Sequence, residues 1–203
     1  MKKFKLLVAL GFCGLVLGAC GEKAVEEKGT GTAKPVEQVE KTESSSAVAE
    51  SKEELGKDVV ARSVYDTDWN EEWHDTKFSI KEVSIVETSD KNVIEYAEGK
   101  FLLGVNFEVK NDGDHTISTY PDQGIAIING KQYNADMLVS ESVGGDVVHG
   151  SMIEGMVVFA VPELKSVDEL KEVRLTWSAN DFDESSDLDD TTKDFDVSLQ
   201  LNK

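Results

Sequence analysis

At 203 residues the chain has room for one domain of ordinary size with appendages, and too little for two comfortable domains. Its 21 Lys+Arg stand against 40 Asp+Glu, a formal net charge of −19 that repels phosphate backbones and excludes DNA and RNA as partners. Hydrophobic residues make up 39 %, and 13 of the aromatics fall after residue 58, so any core is confined to the C-terminal three-quarters.

Lys2, Lys3 and Lys5 form a basic head to an apolar stretch from Leu6 to Leu17. As a helix that stretch spans about 18 Å, short of a bilayer core of about 30 Å, so residues 1–19 read as a secretory signal rather than a membrane span. The segment ends Leu17-Gly18-Ala19-Cys20, which resembles the bacterial lipobox. The resemblance implies cleavage before Cys20 and lipidation of its thiol. Two acyl chains hold stably where one binds reversibly. The expected location is therefore the extracytoplasmic face of the cell membrane, with the membrane as a partner through the N-terminal lipid. Cys13 leaves with the signal and Cys20 is capped, which excludes thiol nucleophiles, thiolate metal sites and redox chemistry.

Residues 20–58 are expected to be the lipidated cysteine and a disordered linker. The segment 21–58 has no aromatic, and its Glu, Lys, Ser, Thr, Ala and Gly bury too little apolar surface to offset ordering entropy. As a coil it reaches roughly 30–35 Å. A short helix over 47–57, capped by Ser46, is the one local exception.

From Val59 to Lys203 the pattern is that of strands. Phe101, Leu103, Val105, Phe107 and Val109 alternate with polar residues at period two, and the run stops at the turn Asn111-Asp112-Gly113-Asp114. Ile125 and Ile127 lead into Asn129-Gly130, a hairpin signal, with Lys131–Tyr133 returning. Ile153, Val157, Phe159 and Val161 share a face; so do Val173, Leu175 and Trp177, and then Phe195, Val197, Leu199 and Leu201. Phe78 and Ile80 are on one parity and Val83 and Ile85 on the other, so a β-bulge is expected at Lys81-Glu82. One helical turn is expected over Ser166–Leu170. About seven or eight short strands and no long amphipathic helix predict an all-β fold, an immunoglobulin-like antiparallel β-sandwich, with a small barrel second.

Three stretches carry a family resemblance. Residues 99–111, GKFLLGVNFEVKN, resemble the Gly-Lys strand of a telokin-like family of unknown function that ends Lys-Asn. Residues 127–133, IINGKQY, resemble its Gly-Lys-x-Tyr hairpin, and 155–163, GMVVFAVPE, its strand ending Val-Pro. The family is common in lipoproteins of Gram-positive bacteria and is related in fold to secreted immunoprotective antigens. The resemblance covers roughly 76–178 and implies a fold and a location, with no shared catalytic residues to carry over. One departure stands out: where family members place Pro-Gly before the last of these strands, this chain has His149-Gly150-Ser151.

The chemistry on offer is sparse. His74, His115 and His149 belong to no recognisable ligand or triad spacing, and read as exposed loop histidines. Carboxylate pairs are too abundant to inform. Trp69 and Trp73, four apart, would share a face on a helical turn, either as an aromatic platform for sugar or cell-wall polymer or as a cap on one end of the sandwich. Oxygen donors alternating from Asp181 through Asp183, Asp187 and Asp189 resemble the start of a calcium loop. Counting from Asp181, however, the required Gly and Glu are Ser186 and Thr192. Weak calcium at these four aspartates is the metal candidate, set against a plain solvated acidic loop; no other cofactor is expected.

The expectation is thus a non-enzymatic binding module facing an unknown protein or cell-wall partner. The alternative is a cation-dependent structural or accessory lipoprotein of an envelope complex; a hydrolase with a composite site is the remote third. Ten acids against six bases lie in 21–58 and three lysines precede Cys20, so −18 of the charge falls on residues from Val59 onward.

Overall fold

In the computed structural model, which describes residues 29–35, 58–182 and 191–201, the alternating segments become strands with their apolar parity turned inward. In chain order these are β1 (Gly29–Pro35), β2 (Val59–Thr67), β3 (Asn70–Trp73), β4 (Thr76–Thr88), a short helix α1 (Lys91–Tyr96), β5 (Phe101–Asn111), β6 (Ile117–Thr119), β7 (Ile125–Ile128), β8 (Lys131–Asn134), β9 (Gly145–Val147), β10 (Met152–Ala160), β11 (Glu172–Asp181) and β12 (Thr192–Leu201). A single 3₁₀ turn at Pro121–Gln123 precedes β7.

Two antiparallel sheets pack as a sandwich. One runs β10-β5-β4-β2, with β3 folded back on β4. The other holds β12 and β11, and the free edge of β11 is shared: β7 pairs with its first half and β6 with its last three residues. The inner faces supply one core, in which Leu103, Val105 and Phe107 of β5 join Leu175 and Trp177 of β11 and Phe195 and Val197 of β12. Trp177 stacks on Phe195 at 4.6 Å and meets the edge of Phe107 at 5.2 Å, contacts that add to the burial of roughly 1.5–3 kcal/mol per large side chain.

The local expectations map closely. The register of β4 on β5 shifts between Ile80 and Glu82, where the apolar phase slips. The β7–β8 turn has Asn129 at φ 51° and Gly130 at φ 78°, the two left-handed residues a tight hairpin requires. Gly150, at φ 70°, takes the turn position before β10 without a proline; the Ser151 N–H closes the turn on the Val148 carbonyl at 3.0 Å.

Three expectations need correction. The strands number twelve among the described residues, because β6 and β9 are three residues long and too short to show a period. The linker does not run unbroken to residue 58: β1 lies between β2 and β12, antiparallel to the first and parallel to the second, and joins both sheets along one side. A gap between two unsatisfied strand edges accepts any extended segment, and edge pairing asks little of its side chains. Ser166–Leu170 is a hydrogen-bonded turn rather than a helical one, with Glu169 accepting the Lys165 N–H at 2.7 Å. The helix expected over 47–57 lies outside the described residues.

Candidate functional site

At one end of the sandwich three elements deliver polar side chains to a single point. β11 is the source of the first. Its inward parity reads Val173, Leu175, Trp177, Ala179 and then Asp181, so the apolar stripe ends in a carboxylate that is 0 % exposed. A buried carboxylate without partners is costly. Here one of its oxygens, Oδ2, meets His74 Nδ1 at 2.7 Å and His115 Nδ1 at 2.9 Å. An ionised carboxylate oxygen accepts, so each ring donates from Nδ1, and both bonds are of the charge-assisted class.

His74 comes from the two-residue turn between β3 and β4. It and Asp75 both hold positive φ, 49° and 53°, a conformation in which His and Asp are tolerated better than most non-glycine residues. The Trp73 ring stacks on the imidazole at 4.2 Å and 23°, which sets the plane of the ring. The turn is pinned from outside as well: the Asp112 N–H donates to the Asp75 carbonyl at 3.1 Å.

His115 comes from the loop between β5 and β6, and the fully buried Asn111 builds that loop. Its Nδ2 donates to the carbonyls of His115 and Val147, each at 2.7 Å, while its Oδ1 accepts the Gly113 N–H at 2.9 Å. Gly113 runs so close to the neighbouring turn that a Cβ there would sit 2.6 Å from the His74 carbonyl oxygen, so the sequence needs glycine at this point. The third histidine supports the same loop without joining the cluster. His149 Nδ1 lies 2.5 Å from the Gly113 carbonyl, which fixes the donor on Nδ1.

The three ligand-type atoms of His74, His115 and Asp181 all lie within 4.8 Å of one another. Asp181 is closed to solvent, but the His74 and His115 side chains keep 23 % and 31 % of their surface. The arrangement thus pairs a dry anionic end with a wet imidazole rim.

Of the four aspartates offered as metal ligands by sequence, Asp181 enters this cluster, and its carboxylate is directed at two histidines rather than along an acidic loop. Asp183, Asp187 and Asp189 lie outside the described residues, as does Cys20. Trp69 and Trp73 are 5 % and 8 % exposed, so they offer no open ring face for a polymer, and the platform expectation is corrected. Trp69 joins the core edge-on to Trp177 at 5.6 Å, and Trp73 backs His74. His74 and His115 lie in a turn and a loop, but the exposed reading is corrected: both are half-buried and bonded to Asp181. They stand 107 and 66 residues from Asp181, and only strand register brings them to it.

Comparison with known proteins adds a family and a set of distant shapes. A functionally unknown protein from Listeria monocytogenes EGD-e aligns at 12 % identity over 71 % of this chain and 87 % of its own, with a TM-score of 0.48. The yjhA protein from Bacillus subtilis aligns at 16 % identity over 66 % of this chain and 97 % of its own, TM-score 0.43. A "putative lipoprotein (ycdA)" from Bacillus subtilis aligns at 16 % identity over 63 % of this chain and 38 % of its own, TM-score 0.40. No curated protein matches the chain. Residues 67–182, from the last residue of β2 to the residue after Asp181, match the profile described as Domain of unknown function (DUF4352), and the chain belongs to that family.

Proposed function

We propose that the protein is a lipoprotein held at the extracytoplasmic face of the cell membrane through Cys20, and that its sandwich is a non-enzymatic interaction domain for an envelope protein. Anchoring is supported by the basic head, the short apolar stretch and Leu17-Gly18-Ala19-Cys20. No helix among the described residues is long and apolar enough to cross a membrane.

The observation that carries the interaction reading is a turn after β8 that displays Met137, Leu138 and Val139 in succession, 63 %, 82 % and 52 % exposed. Its backbone is held rather than loose. Asp136 accepts the Leu138 N–H at 3.0 Å and the Tyr96 hydroxyl at 3.0 Å, and the Ser140 hydroxyl accepts the Val158 N–H at 2.8 Å. Three adjacent apolar side chains on a fixed turn are a costly thing to show water, and such patches mark contact surfaces.

A photo-crosslinker at position 138, in cells carrying the lipidated protein, is expected to yield one discrete protein adduct. Serine at 137 and 139 is expected to abolish it, and Cys20→Ala to move the protein out of the membrane fraction. A diffuse smear insensitive to both serines sinks the interaction reading; a membrane-bound Cys20→Ala protein sinks the anchor.

A further inference from the structure

We propose that His74, His115 and Asp181 form a binding site for a divalent first-row transition ion of the zinc type. The inference goes beyond the interaction domain and does not depend on it.

The donor set selects the ion. Two imidazole nitrogens and one carboxylate oxygen suit zinc, cobalt, nickel or copper, whereas calcium and magnesium ask for oxygen-rich cages. The burial favours an ion as well. Asp181 is fully buried with one oxygen shared between His74 and His115, so the three ligand-type atoms already converge in a place where a dication between them is attracted strongly.

The scaffold is already rigid. The His74 ring is stacked on Trp73, the backbone at His115 is tied by Asn111, and Asp181 ends a ten-residue strand paired on both sides. Along the two histidine–aspartate contacts the rearrangement needed is small. Ligands about 2.0–2.1 Å from a tetrahedral ion lie about 3.3 Å apart, so the nitrogens and Oδ2 must separate by about half an ångström from the present 2.7 and 2.9 Å. On coordination through Nδ1 each ring stays neutral, with its proton transferred to Nε2. The partial exposure of both histidines leaves a route for the ion and room for a solvent ligand to complete the shell.

The test uses the untagged full-length protein in detergent, titrated calorimetrically with zinc sulfate and, separately, with calcium chloride. One zinc per chain is expected, with a rise in melting temperature, and no matching effect from calcium. His74→Gln and His115→Gln are each expected to weaken zinc at least about tenfold, and the double variant to abolish it. Cobalt(II) in place of zinc is expected to give a visible absorption band that the double variant lacks. Circular dichroism of each variant separates loss of ligand from loss of fold, and the neutral amide of glutamine keeps the bulk of the side chain. Absence of zinc binding by the folded protein overturns the proposal. So does zinc that persists in the double variant, or that is lost only when Asp183, Asp187 and Asp189 are replaced by asparagine.

Discussion

Asn111 shows how much one buried polar side chain can organise. It makes three hydrogen bonds, and each links a part of the loop that carries His115 to something fixed. Asn111→Ala strands the buried Val147 carbonyl, the part-buried His115 carbonyl and the buried Gly113 N–H; at about 1 kcal/mol apiece, a loss of about 3 kcal/mol is expected in urea unfolding. The His115 Nδ1–Asp181 contact should go with it, visible as a changed imidazole nitrogen signal by NMR; an unchanged signal would show that the loop holds without Asn111. At this scale the sequence is half legible. The turn at 111–114 is readable, and so is the stripe that places Asp181 inward, once its parity is followed two residues past Ala179. The acidic run that follows disguises the end of the strand as the start of a loop. Nothing local marks His74 or His115, because their common feature is a partner far away in the chain.

Elements are tied together by a second polar cluster, away from the histidines. Glu163, in the turn after β10, accepts Lys131 Nζ at 2.5 Å and the Tyr133 hydroxyl, so the β7–β8 hairpin is fastened to the sheet it crosses. Burial first, and the Glu163 carboxylate second, push the Tyr133 phenol from 10.0 up to about 12. Between those values the folded protein keeps a proton that the unfolded chain has released. Stability from this group is therefore intact below pH 10 and is lost as pH rises through about 12. Tyr133→Phe is expected to flatten the fall of melting temperature over that window; an equally steep fall in the variant would place the alkaline transition elsewhere. Glu163 runs the other way. The Lys131 ammonium holds its carboxyl below the usual range, so its contribution is lost as pH falls through that lowered value. The hairpin is legible from Asn129-Gly130 alone, but its fastening is not, since no period relates position 133 to position 163.

Over the whole molecule the dominant charge is the −18 on residues from Val59 onward. Ion pairs such as Lys81–Glu108 at 2.9 Å are exposed and contribute little, so self-repulsion outweighs them. Raising salt from 10 mM to 1 M shortens the screening length from about 30 to about 3 Å, and the melting temperature is expected to rise by several degrees. A fall would mean that attractive pairs outweigh the net charge. The sandwich itself is legible because its long strands are amphipathic at period two. β1 is not, because Gly-Thr-Gly-Thr-Ala-Lys-Pro has no apolar face to betray it. That strand sets the length of the leash. With the anchor at Cys20, the stretch from membrane to fold is not the whole of 21–58 but the nine steps to Gly29, about 30 Å at full extension and about 16 Å on average. On the proposed anchoring at Cys20, a domain so held would work in a layer roughly half as deep as its linker composition implies.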